Sequence, residues 1–382
     1  MNTTAPASGP APAGRKPRVA VVFGGRSSEH AISCVTAAGV LRAIDRDRYD
    51  VVPVGITTGG RWVLVPDDPA ALEISAGRLP QVSGDGMGTV LAPQSVESRD
   101  LVVLEPGRPP ALLGEVDVVF PLLHGPYGED GTVQGMLELS DTRYVGAGVL
   151  SSAMSMDKHY MKIVLAGSGL PIGPYVVITP AEWRRDPAAC EDAVAALGWP
   201  VFVKPARGGS SIGVSRVDGP DALAAAIAAA QEHDPKVVVE AAVVGREIEC
   251  GVIESPDGGA PATSLPGEIE VLAGHDFYDF EAKYLDEENV ALRCPADLPE
   301  QVTERVQSIA ARTFEVMGCE GLARVDMFVQ ADGRVIVNEL NTMPGFTPLS
   351  MFPRVWECSG VSYPEQVDRL LQLALNRRTG LR

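Results

Sequence analysis

The stretch that most constrains this chain is Leu322–Gly345, LARVDMFVQADGRVIVNELNTMPG. Two runs that alternate apolar and polar residues flank Asp332-Gly333, the strongest short-range signal for a hairpin. With those two residues in the turn, Ala331 faces Arg334 and pairing continues outward. Asp326 then lies opposite Glu339, and Arg324 opposite Asn341. Side chains alternate faces along a strand, so these four share one face while Val325, Met327 and Leu340 take the other. Two carboxylates directly opposed on a sheet repel each other, so a positive charge belongs between them. Arg324 is one source. A divalent cation is the better one, because Asp326, Glu339 and Asn341 offer the hard oxygen donors that suit Mg²⁺. The bland alternative is a solvated face with a surface ion pair; the flanking Thr342-Met343-Pro344-Gly345 loop weighs against it.

A second motif is Phe202–Val214, FVKPARGGSSIGV. A strand bearing Lys204 enters a loop of glycines and two serines and returns as a strand. Glycine lets backbone N–H groups converge on a phosphate, and the serines add donors. No Gly-Lys-Ser/Thr leads into a helix, so this is not a Walker A loop. On these residues alone an ordinary flexible hairpin is an equal reading. Met156-Asp157-Lys158 follows a Ser-rich coil and heads a helix. Glu240–Glu247, EAAVVGRE, could offer backbone amides to an adenine edge and a carboxylate to ribose hydroxyls. Each of these is a weak signal by itself.

At 382 residues the chain is too long for one compact core. Val19–Phe23 reads as a buried strand, Gly24-Gly25 breaks it, and Ala31–Ile44 has helical spacing before a strand at Val51–Ile56. Strand, glycine turn, helix, strand is the start of an α/β domain with a parallel sheet. Glu115–Leu123 is a further buried strand, and residues 59–115 read as short strands and loops. A second unit holds strands Val201–Lys204 and Val214–Val217 with helices Ala189–Leu197 and Ala222–Gln231. A third, starting near Val237, holds strands Val237–Ala241, Glu247–Ile253, Gly321–Val329 and Val335–Leu340 and the helix Gln301–Met317. The last helix opens with a capping box, Ser362-x-x-Glu365, with Pro364 in its first turn. The expected division is a disordered tail at 1–17 and domains at 18–148, 149–239 and 240–382.

The formal net charge of −18 repels phosphate backbones and anionic lipid, so neither a nucleic acid nor a membrane surface is an expected partner. No apolar run is long enough to span a bilayer, and residues 1–16 lack the apolar region of a signal peptide. Six scattered cysteines with no CxxC pair read as reduced thiols, which points to the cytoplasm.

Several segments carry a resemblance: Gly24–His30 (GGRSSEH), His124–Thr132 (HGPYGEDGT), Met156–Lys158, Lys204-Pro205 with Gly209–Gly213, Phe277–Tyr284 (FYDFEAKY), and Arg324–Asp326 through Asn338–Asn341. In this order they resemble the ATP-grasp ligases, and in detail the D-alanine–D-alanine ligase family over nearly the whole chain from residue 18. The resemblance implies a three-domain α/β ATP-grasp architecture with an N-terminal parallel-sheet domain, and ATP clasped between the second and third domains. It implies that Lys158, Lys204 and Ser211 meet the ATP phosphates, and that Glu240, Ala242, Val243 and Glu247 hold adenine and ribose. Asp326, Glu339 and Asn341 would bind two Mg²⁺ ions, with Mn²⁺ a possible substitute. Glu29 would hold the ammonium of a first D-alanine, with His124 nearby. Ser210 and Tyr284 would link to Glu29 across a closed lid that also carries Lys283. Arg324 and the Gly345 amide would stabilise an oxyanion, and Ser350 and Met351 would receive the carboxylate of a second D-alanine. The implied activity joins two D-alanines through an acylphosphate for peptidoglycan precursor synthesis, in a homodimer.

Three departures stand out: residues 59–115 are longer than in the shortest members, Met1–Lys16 is extra, and Ala241-Ala242 lacks the bulky residue some members carry. D-alanine–D-lactate and D-alanine–D-serine ligases are the rivals within the class, and Glu281–Tyr284 matches the D-alanine–D-alanine pattern. A Rossmann-type oxidoreductase would rest on Val19–Gly25 alone, without GxGxxG spacing.

Overall fold

A computed structural model describes residues 15–75, 77–84, 88–91, 100–105, 107–271 and 290–380. They fall into two compact units. One takes the chain up to Val149, Gly345–Pro353 and the chain from Val361 onward; the other takes Leu150–Pro344 and Arg354–Gly360.

The first unit is built on strands β1 (Arg18–Gly24), β2 (Asp50–Ile56), β3 (Trp62–Leu64), β4 (Thr89–Leu91), β5 (Asp100–Leu104), β6 (Ala111–Glu115) and β7 (Val118–Pro121), in the order β6-β5-β4-β3-β2-β1-β7. β1 runs parallel to both β2 and β7. It is a continuous apolar run because helices cover both faces of a parallel sheet, and Val19–Phe23 are all buried. The strands read as short and loop-rich form an antiparallel extension from β2 to β6. The C-terminal helix Tyr363–Asn376 also belongs to this unit. Tyr363 packs at 5.4 Å, tilted by 42°, against Phe346, which meets Phe120 edge-on at 6.2 Å. The expected capping box is not formed: Ser362 occupies the N-cap without a side-chain bond, and the Glu365 carboxylate turns instead to Arg369, 2.7 Å away. A capping box does form at Thr179–Glu182. Arg15, at the edge of the expected tail, forks onto Asp117 at 2.7 and 2.9 Å.

The second unit holds two sheets. The first has strands β8 (Tyr175–Ile178), β9 (Val201–Pro205), β10 (Ser215–Val217) and β11 (Val237–Ala241), in the order β10-β9-β11-β8. β11 was expected to start the next group, but it pairs antiparallel with both β9 and β8. The second sheet has β12 (Arg246–Ile253), β13 (Ala262–Thr263), β14 (Gly267–Val271), β15 (Val290–Arg293), β16 (Leu322–Val329) and β17 (Val335–Asn341), in the order β15-β14-β12-β16-β17 with β13 beside β12. Under this sheet, Val306, Ala310 and Phe314 of the helix Glu300–Val316 and Met161 and Leu165 of the helix Lys158–Gly167 share one core with Val325, Met327 and Leu340. The Ser-rich segment before Asp157, expected as coil, is a helix (Val149–Met156) whose Ser151, Ser152 and Ser155 are buried.

The β16–β17 hairpin reaches the expected register by an unexpected route. Arg324 pairs with Asn341 and Asp326 with Glu339, but nearer the tip Met327 pairs with Val337 and Val329 with Val335. The turn is one residue longer than a two-residue loop, with Gln330 N bonded to Arg334 O at 2.8 Å. A bulge between Asp326 and Met327, with Asn338 as the extra residue, takes the slip back. Asn338 and Glu339 therefore both lie on the half-exposed face, against Val337 and Leu340 on the buried one.

Candidate active site

Three lysines and one glutamate form the first part of the site, all in the second unit. Asp157 caps the helix Lys158–Gly167 by accepting from the amides of His159 and Tyr160. Lys158 and Lys162 then stand one turn apart on one face. Lys162 Nζ lies 3.0 Å from Glu240 Oε1, and Lys204 Nζ of β9 lies 2.7 Å from Glu240 Oε2. Burial alone would raise the Glu240 carboxyl; the two ammonium groups hold it down at about 2. Burial pulls Lys162 below its usual range, and Glu240 only partly offsets this. For Lys204 the balance tips upward, because Glu240 is closer and Glu339 and Glu247 add to it. This is a dry cluster with excess positive charge, of the kind that receives phosphate.

Beyond the lysines lies the glycine-rich turn. Lys158 Nζ donates to Gly208 O at 3.0 Å. Ser210 and Ser211 sit in the left-handed region with φ of 49° and 57°. Successive non-glycine residues there are strained, and such strain gathers at ligand-gripping loops.

The sheet face forms the second part. Arg324 forks onto Asp326, with Nε and Nη2 each 2.7 Å from a carboxylate oxygen. Asn341 Nδ2 donates to Asp326 Oδ2 at 2.9 Å. Glu339 faces Lys158 at 3.3 Å. The positive charges required by the opposed carboxylates are therefore Arg324 and Lys158. Burial acts against the Arg324 guanidinium, but Asp326 and Glu249 hold it charged well above its usual range. Among the described residues no three His, Cys, Asp or Glu side chains are grouped to hold a metal ion. The expected set has two carboxylates and one amide, and their adjacent oxygen donors are of the type Mg²⁺ takes.

In the first unit, Glu29 stands at the head of the helix His30–Ala43, where the helix dipole favours an anion. It is buried, as is His124, whose Nε2 lies 3.0 Å from Thr36 Oγ1. Gly125, with φ of 72°, packs so closely that a Cβ there would overlap Glu29 Oε2 and Ser27 Oγ. The HGPYG turn thus fits against the Glu29 carboxylate. Ser350 Oγ lies 2.7 Å from Thr347 Oγ1 and 3.1 Å from where a Cβ on Gly345 would stand.

A family model described as the D-ala D-ala ligase N-terminus matches residues 18–147, and its partner, the D-ala D-ala ligase C-terminus, matches residues 164–372. The chain belongs to the D-alanine–D-alanine ligase family. Relatives called D-alanine–D-alanine ligase include one from Kineococcus radiotolerans, 65% identical over 96% of this chain and 99% of its own. Another, from an Arthrobacter species, is 59% identical over 97% of each. Among solved structures, the VanG D-Ala:D-Ser ligase from Enterococcus faecalis is 31% identical, with a TM-score of 0.80 over 94% of this chain and 100% of that one. The D-alanine–D-alanine ligase from Coxiella burnetii is 32% identical, with a TM-score of 0.78 over 95% and 94%. The mixed α/β, ATP-grasp architecture expected from the sequence is the one this family has.

Within the family frame, the second unit holds Lys204–Glu240, Lys158–Glu339 and Arg324–Asp326–Asn341 as contact groups, joined by the attraction of Glu339 for both Lys204 and Arg324. Glu247 of β12 joins them through its attraction for Lys204. Ala242 and Val243 follow β11, with Ala242 N bonded to Pro200 O at 3.1 Å. Glu29, His124, Gly345, Ser350 and Met351 lie in the first unit. The Met351 side chain is buried, leaving its amide at the head of the helix Met351–Cys358. Lys283 and Tyr284 lie outside the described residues. Sequence reading missed Lys162 and Glu249. The one signal for Lys162 was its spacing of four from Lys158; for Glu249, its alternation with Glu247.

Proposed function

We propose that this chain joins two D-alanines into D-alanyl-D-alanine, cleaving ATP to ADP and phosphate. The observation that carries the reading is the Asp326–Glu339 pair with Arg324 beside it and the lysine cluster adjoining, in a chain of this family. A carboxylate is a poor electrophile. Phosphorylating the first D-alanine gives an acylphosphate, which the amine of the second attacks, expelling phosphate. Lys158 and Lys204 hold the ATP phosphates, and the Ser210–Ser211 turn adds donors. Glu240 and Glu247 receive the nucleoside. Asp326, Glu339 and Asn341 would hold Mg²⁺, which when bound neutralises phosphate charge. Arg324 donates to the oxyanion that forms on attack, supported by the Gly345 amide. Glu29 binds the ammonium of the first D-alanine with His124 beside it, and Ser350 and the Met351 amide take the carboxylate of the second. Lys283 and Tyr284, outside the described residues, keep the role the family resemblance implies for them, excluding water from the acylphosphate.

The same reading keeps a working domain at 18–148 and two ATP-grasp subdomains from 149 onward, divided after β11 rather than at 239, with residues 1–17 dispensable, in a cytoplasmic homodimer. D-serine as acceptor is the second reading, motivated by the likeness to the Enterococcus ligase. The test offers radiolabelled D-alanine and ATP with D-alanine, D-serine or D-lactate. Labelled D-alanyl-D-alanine with stoichiometric ADP is expected. Predominant D-alanyl-D-serine or D-alanyl-D-lactate overturns the acceptor assignment, and no ADP release overturns the ligase reading.

A further inference from the structure

The face that carries Asp326 and Glu339 holds a third carboxylate. Glu249 of β12 pairs with Asp326 of β16, which pairs with Glu339 of β17, so three carboxylates stand in a row across adjacent strands. Glu249 is 4% exposed. Like charges in register weaken a sheet, and burying a carboxylate costs several kcal/mol unless it is compensated. A residue kept there against both costs has a use that packing does not supply.

Arg324 shows the use. Its Nε is shared, 2.7 Å from Asp326 Oδ1 and 3.0 Å from Glu249 Oε2. With Nη2 and the Asn341 amide also in place, both Asp326 oxygens are engaged. The oxygens keep lone-pair capacity for a divalent cation, but a cation there shares Asp326 with the guanidinium, and the two positive charges repel. A buried guanidinium released with no other anion nearby would be strongly disfavoured. Glu249 already touches the same nitrogen, so the charge has a place to go without crossing a gap.

We propose that Glu249 is a positioning residue, the alternate partner that takes the Arg324 guanidinium when Asp326 turns to a divalent cation. It thereby sets the affinity for the cation and holds Arg324 beside the reacting carbonyl. This rests on the reading of Asp326 as a cation ligand.

Glu249→Gln removes the charge and keeps the shape, so Arg324 stays on Asp326. Mn²⁺ titrated into the full chain with ADP, free ion counted by electron paramagnetic resonance, should bind roughly 10- to 100-fold more weakly than to wild type. Glu249→Asp should fall between the two, and it carries the test if the Gln variant does not fold. In an Arg324→Met background, Glu249→Gln should change the Mn²⁺ constant by no more than about twofold, because the route through Arg324 is gone. Wild-type Mn²⁺ affinity in Glu249→Gln, or an undiminished effect in the Arg324→Met background, overturns the proposal while D-alanyl-D-alanine formation by the wild type leaves the ligase reading standing. A wild type that neither binds Mn²⁺ with ADP nor forms the dipeptide overturns both.

Discussion

Glu240→Gln should be among the most damaging single changes in the second unit, and the cost can be worked from the lysine cluster. Glu240 is 8% exposed and bonded to both Lys162 and Lys204. A carboxyl held at about 2 in the fold, against an ordinary 4.5, contributes about 3 kcal/mol at neutral pH. The substitution also leaves two buried ammonium groups with less compensation, and breaking a buried pair costs about 3–5 kcal/mol. The loss should sit in that range, moderated for Lys204 by Glu339 and Glu247. Its pH dependence has a definite sign. Because the folded value is depressed, the contribution is present in full above the ordinary value, fades as pH falls below about 4.5 and is gone near about 2. Lys162→Met should behave oppositely. Burial disfavours the charged lysine, and its removal leaves Lys204 and Glu240 as a balanced pair, so the change should stay within about 1–2 kcal/mol. Urea denaturation of the three proteins at pH 7, repeated at decreasing pH, measures all of this. Equal stability of Glu240→Gln and wild type at pH 7, or a gap that does not narrow toward low pH, would refute the reasoning.

Gly125→Ala places a Cβ against Glu29 in a left-handed backbone; it should cost about 1–2 kcal/mol from the backbone alone and raise KM for D-alanine, whereas an unchanged KM argues against the Glu29 placement. Glu339→Gln breaks a part-exposed ion pair of 3.3 Å, so its stability should shift by no more than about 1 kcal/mol. ATP-dependent turnover of that variant should fall at least roughly 100-fold, and near-normal Mg²⁺-dependent rates would defeat the site assignment. Gly251→Ala drives a Cβ to 2.6 Å from Trp356 Nε1; a loss of about 1–3 kcal/mol from overpacking, with a shift in tryptophan fluorescence, is expected, and wild-type melting would contradict the packing.

What the sequence disclosed, and what it hid, follows from the range of the interactions. Asp326, Glu339, Arg324 and Asn341 were legible because a hairpin is local, although the two-residue turn reaches their register only because the bulge at Asn338 takes back the slip of the longer turn. Lys162 was not, because a lysine one turn after Lys158 reads as a solvated helix position; only Glu240, on a strand far along the chain, makes it a buried partner. Glu249 was hidden for the same reason, since β12 meets β16 across a helix and three strands among the described residues alone. β11 was assigned to the wrong sheet because its neighbour β9 lies before a hairpin and a helix. The capping box failed differently: its residues are present, but Arg369 competes for Glu365. Gly24–His30 and His124–Thr132 were visible as motifs, while the fit of Gly125 against Glu29 needed coordinates.

The long turn at the hairpin tip and the extra residue at Asn338 amount to two slips of opposite sense, and between them the strands run one position out of phase with the strands below. The tip is thereby uncoupled from the base, much as an expansion joint isolates two spans. Pairing is counted from Gln330 and Arg334, so removing Ala331 to leave the two-residue Asp332-Gly333 turn keeps every pair below it, Asp326 with Glu339 included. Removing Asn338 alone straightens β17 with Asp326 still opposite Glu339, so each site should tolerate a one-residue deletion independently of the other.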